Sequence, residues 1–365
     1  MCAVAMLSIS LTLMVIPSPA KMVVKVGHVD PANPFMSADH SAAIVFKTMV
    51  ETATDGGIEV RVYPSSSLGS GREQMAMLKN NVIQVYMATA GNMATMYPLI
   101  GVLDTPFAIP NMSTAWEVFD GWFGEKLKKS IYEKTGLRCL EILDQGGFFH
   151  FTNNKRPIRT LDDIKGIKFR TMTLPSHITF FRSMGASAIP IAWAEVYTSL
   201  QTGVVDGQHN PFAPILGSKL YEVQKYLTLS GHIWSTHWFM VNDQWYQSLT
   251  DDQKQIVRNA ANVGKVCGRG ITKIYESSDK GMAVIQKKTR VNQLSIKEKE
   301  KFGEVTIPAM KEFIKKNLDE EGLALQDDFL KAITEARVKL GSAAWRFWIR
   351  EDFFTLQITK GLFEL

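Results

Sequence analysis

The sequence predicts an α/β protein of two lobes with a ligand cleft between them. Three observations predict it. The chain has 365 residues, too many for one small core and suited to two. A strand–helix–strand pattern runs through its first third and starts again after Gln145-Gly146-Gly147, the signature of mostly parallel sheets. A long helical pattern beginning at Thr250 extends far enough to touch both halves. With 45% hydrophobic and 21% charged residues, the composition is that of an ordinary globular protein. The net charge of +5 comes from scattered Lys and Arg, so no nucleic-acid footprint is present.

Residues 1–20 carry no charge, and 3–16 are largely apolar. Ser18-Pro19-Ala20 and Lys21 follow. This pattern reads as an export signal with cleavage after Ala20, and its apolar run is short for a bilayer span. Val24 and Val26 alternate with Lys25 and Gly27, a first strand. Ala42, Val45, Phe46 and Met49 fall at helical spacing, and Asp55-Gly56-Gly57 stops that helix. Ile58, Val60 and Val62 give a second strand, 73–79 a short helix and 82–87 a third strand. Pro98, Pro106 and Pro110 mark an irregular crossing. Residues 116–135 read as an amphipathic helix, 137–143 as a strand, and Gln145-Gly146-Gly147 as a turn between lobes. The second set follows: strand 148–152, strand 167–170, helix 175–184 and strand 188–190.

Thr250-Asp251-Asp252-Gln253 is a capping box. The helix it launches carries Ile256, Ala260, Val263, Cys267, Ile271 and Ile274 on one stripe. Unbroken to Lys287, it spans roughly 55 Å at about 1.5 Å per residue. Gly264, Gly268 and Gly270 each disfavour the helix by about 1 kcal/mol relative to alanine, which points to close packing or a bend. Ser295 caps a further helix. The tail, 343–365, crowds Trp345, Phe347, Trp348, Phe353, Phe354 and Phe363 together, either to pack on a lobe or to self-associate. Cys139 and Cys267 read as free buried thiols.

No Gly-x-Ser-x-Gly elbow, phosphate loop, His-Glu-x-x-His helix, dinucleotide fingerprint or Cys-x-x-Cys pair occurs. Among the seven histidines only His232 and His237 stand close together, in a structural role or sharing a site. No metal or cofactor is expected. The positive signals concern binding. Arg170 ends an apolar strand, where open α/β sheets hold ligands, and its guanidinium suits a carboxylate. A salt bridge to a nearby acid is its alternative role. Asn210, before Pro211, offers a donor and an acceptor or simply turns the chain. Trp193 gives a flat apolar wall or fills a core.

Several stretches carry a family likeness. They are Pro64-Ser65-Ser66-Ser67-Leu68-Gly69, Asn154-Lys155-Arg156-Pro157-Ile158, Leu161-Asp162-Asp163-Ile164-Lys165-Gly166-Ile167-Lys168-Phe169-Arg170, Gly185-Ala186, Glu195-Val196-Tyr197 and Val205-Asp206-Gly207-Gln208-His209-Asn210-Pro211. In their order and spacing, from Val24 to about Leu330, the chain resembles the DctP-like solute-binding receptors of tripartite ATP-independent (TRAP) transporters. The resemblance implies the two-lobe periplasmic binding protein fold, with the Thr250 helix spanning both lobes. It implies that Arg170 pairs with a ligand carboxylate, Asn210 supports it and Trp193 packs on the ligand body. His150, Met172, Thr89 and His237 match other cleft positions, and Phe149, Glu73 and Trp234 complete the candidate set. Several relatives carry a second arginine near His150, so histidine there favours a single-carboxylate ligand.

The expected function is therefore a periplasmic receptor that hands a small organic acid to a TRAP membrane permease. The alternatives are a periplasmic enzyme using Glu73 or His237 as acid or base, and an ABC-type receptor or sensor module. The expected divisions are a signal peptide (1–20), one lobe (21–147 with 236–275), a second lobe (148–235 with 276–330) and a C-terminal helical extension (331–365). A homodimer through the C-terminal helices is a further expectation.

Overall fold

A computed structural model describes residues 21–341 apart from Ser278. Residues 1–20, where an export signal is expected, and the aromatic tail beyond Gly341 lie outside the described residues. Alternation of buried and half-exposed side chains starts the first sheet. Strand β1 (Met22–Gly27) pairs in parallel with β2 (Ile58–Tyr63) and with β3 (Val85–Thr89). Helix Ala38–Ala53 makes the β1-to-β2 crossover and buries Ala42, Phe46 and Val50 on this sheet. β3 starts three residues later than its pattern suggests. All five of its residues are buried, so no alternation marks its ends. Helix 116–135 is in fact two, Met112–Asp120 and Trp122–Thr135, broken at Gly121.

Strand β4 (Leu137–Phe148) is the first chain crossing between the sheets. It runs straight through Gln145-Gly146-Gly147, which the sequence suggests is a turn. Gly146 and Gly147 hold φ of 81° and 87°, a region that only glycine enters freely, so the strand bends there without ending. The second sheet takes β5 (His150–Asn153), β6 (Lys168–Thr171), β7 (Ser187–Pro190), β8 (Gly207–Asn210) and β9 (Tyr226–Leu229). The chain returns to the first sheet along β10 (Trp234–Asn242), all nine residues buried, and β11 (Arg290–Gln293) closes the edge of the second. Strand orders are β2-β1-β3-β10-β4 and β11-β9-β5-β8-β6-β7.

Helix Asp251–Ser277 lies across helix Ala38–Ala53 and β4, then meets the second lobe at Phe212–Gly217. A further helix, Asp279–Gln286, follows it. The long helix buries a different stripe from the apolar one that the sequence suggests. Val257, Ala260, Ala261, Gly264, Gly268 and Thr272 face inward, while Val263 and Ile274 are exposed and Cys267 is half-buried. The two glycines explain the rotation. A Cβ on Gly264 would stand 3.0 Å from Ala42 O, and one on Gly268 3.1 Å from Ala38 O. The helices thus meet backbone to backbone, and inward polar residues complete the seam. Lys265 bonds Glu141 at 2.7 Å and Arg269 pairs with Asp120. Gly264→Leu is expected to destabilise the protein by about 1–3 kcal/mol through overpacking. A urea midpoint equal to that of the wild type would remove the close approach as the cause.

Helix Asp319–Lys339 packs Leu325, Phe329, Ala332, Ile333 and Ala336 into the first-lobe core. The division drawn at residue 330 therefore falls inside a continuous helix. Helix Ile296–Asn317 covers the second lobe with Phe302 and Met310. Among the described residues no helix is long and apolar enough to cross a membrane.

Candidate functional site

Strand ends of one sheet face helix starts of the other across a cavity of about 490 Å³. The second lobe contributes Arg170 and Met172 from the end of β6, Asn210 from the end of β8, and the segment from Ile191 to Ala194. The first lobe contributes a more polar wall: Ser66, Ser70, Arg72, Thr89, Asn92 and Thr95. Gln145, on the crossing strand, closes the back.

Arg170 sits between β7 and β8, opposite Ile189 and Gln208. That position leaves its side chain 3% exposed. Its Nε donates to Ile191 O at 2.9 Å, which fixes the guanidinium plane, while Nη1 has no partner. Burial with no counter-charge pulls its pKa down to about 9, so it remains a cation at neutral pH. Trp193 lies beside it, with the guanidinium carbon 5.6 Å from the ring centroid. This is within cation–π range, and the indole both orients the arginine and walls the cavity. Asn210 is held by its side-chain amide donating to Gln208 Oε1. Gln208 in turn donates to Thr152 Oγ1 at 2.9 Å, and Thr152 to Gln224 Oε1 at 2.8 Å. Antiparallel pairing of β5 and β8 sets Asn210 opposite His150.

Arg170, Asn210, Trp193, Met172 and Thr89 are brought together on the cavity wall. The other five candidates are not on it. Glu73 is turned onto its own helix end, where its carboxylate accepts from Ser70 N at 2.6 Å. Phe149 is buried in an aromatic nest against His177 and His209. Trp234 is buried against Phe148 in the first-lobe core. His150 packs on Phe212 and accepts from Gly231 N at 3.2 Å. Burial, with Lys299 adding to it, lowers its pKa to about 3, so it is a neutral ring. His237 is buried with Nδ1 2.7 Å from Asp39 Oδ2. Burial opposes its charging, but the charge and hydrogen bond of Asp39 outweigh this and raise its pKa. His232 lies in the second-lobe nest, 3.0 Å from His209, so it shares no site with His237.

The polar residues of the first-lobe wall escaped sequence reasoning. Asn92 donates to Tyr86 OH at 2.8 Å, and its backbone N–H donates to Thr89 Oγ1. Gln145 donates to Asp30 Oδ1 at 2.8 Å, tying the crossing strand to the first lobe. Arg72 had a readable signal. Ser70 and Glu73 form a capping box, and a lone cation in a helix's first turn runs against the dipole preference.

Residues 27–317 match the family model described as bacterial extracellular solute-binding protein, family 7. The chain is 32% identical over 228 residues to the 2,3-diketo-L-gulonate-binding periplasmic protein of Escherichia coli, covering 62% of this chain and 69% of that one. Its fold is similar to that of the sugar acid-binding protein of Advenella mimigardefordensis, solved in complex with galactonate. The TM-score is 0.80 at 29% identity, over 87% of this chain and 99% of that one. It is similar too to a TRAP periplasmic solute-binding protein of Sulfurospirillum deleyianum with bound succinate. There the TM-score is 0.78 at 27% identity, over 87% and 99% of the two chains.

Proposed function

The chain belongs to the DctP family of bacterial extracellular solute-binding proteins, and we propose that it closes on a small organic acid between its lobes and delivers it to a TRAP permease. Members of this family are periplasmic receptors rather than enzymes. Residues 1–20 serve as the export signal in this reading. The lobes are then 21–147 with 236–275 and 148–235 with 276–317, helix Asp319–Lys339 packs back on the first, and the aromatic tail is a self-association element that sizing of the intact and tail-deleted chains tests.

One observation carries the ligand class. Arg170 lines the cavity, its buried guanidinium has a nitrogen, Nη1, without a hydrogen-bond partner, and no aspartate or glutamate lines that cavity among the described residues. An unpaired buried charge is unfavourable, and a ligand carboxylate supplies the missing partner. The remaining contacts follow from placement. Asn210 flanks the carboxylate, Trp193 and Met172 cover the carbon skeleton, and the first-lobe hydroxyls and amides meet its polar end.

Closure is a population shift. A ligand that touches both lobes favours the closed state by the contacts only that state completes. Gly146 and Gly147 on the crossing strand let the lobes move without breaking it. An enzymatic role gains no support from the two acid–base candidates, since Glu73 caps a helix and His237 is sealed against Asp39.

Titration with a panel of small acids, followed by tryptophan fluorescence, is expected to give saturable changes, because Trp193 lines the site. Native mass spectrometry of the purified protein is expected to find an unaltered acid. Turnover of the bound acid on long incubation, or no saturable response to any acid, would overturn the reading. Trp193→Ala is expected to weaken binding by about tenfold, from lost apolar cover and a looser Arg170. Equilibrium dialysis showing unchanged affinity would take Trp193 out of the site.

A further inference from the structure

Asn210 meets the cavity at the end of a row of side chains that starts on the protein backbone. On β8, Gln208 and Asn210 stand two residues apart and so share one face of the sheet. Antiparallel pairing sets Thr152 of β5 opposite Gln208. Gln224, two residues before β9, completes the row. None of Thr152, Gln208 and Gln224 lines the cavity.

The row has a direction, and a backbone carbonyl sets it. Gln224 Nε2 donates to Val223 O at 2.9 Å. Asn154 Nδ2 donates to the same carbonyl at 2.8 Å, and a carbonyl only accepts. The Gln224 nitrogen is thereby committed, and its oxygen accepts from the Thr152 hydroxyl at 2.8 Å. A hydroxyl has one proton to give. Having given it, Thr152 accepts from Gln208 Nε2 at 2.9 Å. That leaves the Gln208 oxygen to accept from the Asn210 amide. Reversing the row would bring the Gln224 oxygen against Val223 O, two acceptors with no proton between them. All four side chains are 4% exposed or less, so bulk water does not replace a bond that one of them loses.

The cavity therefore meets Asn210 in one orientation. One of its amide protons is spent on Gln208, and its Oδ1 accepts no hydrogen bond among the described residues. Asn210 and Arg170 line the same wall. A carboxylate held by Arg170 has no proton to offer that oxygen, whereas a hydroxyl or amino group on the neighbouring carbon does.

We propose that Thr152 and Gln224 are positioning residues for the bound acid: acting through Gln208, they hold Asn210 with its oxygen kept for a hydrogen-bond donor beside the ligand's carboxylate. This rests on the receptor reading, with Arg170 as the carboxylate's partner.

Calorimetry on the full chain, with acids that differ only in a hydroxyl beside the carboxylate, tests it: lactate against propionate, malate against succinate, 2-hydroxyglutarate against glutarate, galactonate against 2-deoxygalactonate. At least one hydroxy acid is expected to bind about fivefold or more tighter than its partner, the worth of one hydrogen bond. Thr152→Val keeps the side chain's shape and removes its hydroxyl. It is expected to erase most of that advantage while leaving the partner acid within about twofold of wild type, which also shows that the variant is folded. Thr152→Ser keeps the hydroxyl and is expected to restore the advantage. Gln224→Met removes the anchor, leaves the other three residues in place and is expected to follow Thr152→Val; it carries the test should Thr152→Val not fold.

Equal or tighter binding of the partner acids by wild type overturns the inference. So does a folded Thr152→Val or Gln224→Met variant that keeps the advantage, or that weakens both acids alike as a purely structural role would, and so does a Thr152→Ser variant that restores nothing. In each of those cases the receptor reading stands, provided Arg170→Gln still weakens binding. Binding of none of these acids overturns the inference as well, and the receptor reading then rests on the acid that co-purifies. If none co-purifies, both fail together.

Discussion

Replacing Arg170 with alanine is expected to lower affinity for the carried acid by about ten- to several-hundred-fold, the worth of one or two charge-assisted bonds. The same change is expected to leave the empty protein at least as stable as wild type. Burial has already drawn the Arg170 pKa down from 12.5 to about 9. The folded, empty protein therefore holds a cation where it is disfavoured, by an amount on the order of several kcal/mol. That penalty applies at every pH below about 9 and is relieved when a carboxylate docks. Thermal melts with and without the acid separate the two effects. Wild type should gain Tm on adding ligand, and Arg170→Ala should not. An unchanged dissociation constant in the variant would sink the clamp.

Acid is expected to destabilise the protein well above the carboxylate range. All seven histidines are buried. Burial lowers the pKa of His28 to about 4, with Asp39 partly offsetting it, and that of His150 to about 3. His209 and His232 are pushed well below their ordinary range by burial and by neighbouring imidazoles. Unfolded, each of these takes a proton near pH 6.5. The unfolded chain thus binds more protons as pH falls from 6.5 toward 4, and folding loses about 1.4 kcal/mol per pH unit for each such group.

Two buried acids act in the opposite sense. Burial raises Asp30 to about 7, helped by Asp39, and raises Asp144 to about 6 against the pull of Arg269. These gain stability as pH falls through those values toward the unfolded carboxylate range, as does His237, whose folded pKa is raised, below its own. Burial lowers His40 as well, so five lowered histidines outnumber the two acids. A net loss on the order of 2–3 kcal/mol per pH unit between pH 6 and 5 is expected. Urea midpoints at pH 7, 6 and 5 measure it, and a flat profile across that range would refute it. His150→Gln should reduce the slope by about one proton's worth, about 1.4 kcal/mol per pH unit.

Local pattern exposed most of the strands and helices. The β1 and β2 alternation, the Asp55-Gly56-Gly57 stop and the Thr250 capping box each have a local cause. Where pattern failed, long-range packing had removed the signal. β10 is buried on both faces, so nothing in it alternates. The long helix buries Gly264 and Gly268 rather than Val263 and Ile274, because backbone approach to helix Ala38–Ala53 outweighs side-chain hydrophobicity there. The Gly146-Gly147 pair has turn chemistry, yet β4 passes through it because β10 pairs with the strand on both sides of the bend.

The site divides in the same way. The family stretches and the strand-end arginine were enough to read a two-lobe α/β receptor for a small acid, with Arg170, Asn210 and Trp193 at its centre. Strand termini aim their side chains by local geometry, so Arg170 and Asn210 could be read from the chain alone. Only the tertiary structure decided that Glu73, Phe149, His150, Trp234 and His237 stand off the lining and that Arg72, Asn92 and Gln145 stand on it. A cleft between lobes is formed by segments far apart in sequence. Whether a polar side chain faces that cleft or turns inward depends on the partner that distant packing brings to it: Asp39 for His237, Gly231 for His150, and no carboxylate among the described residues for Arg72.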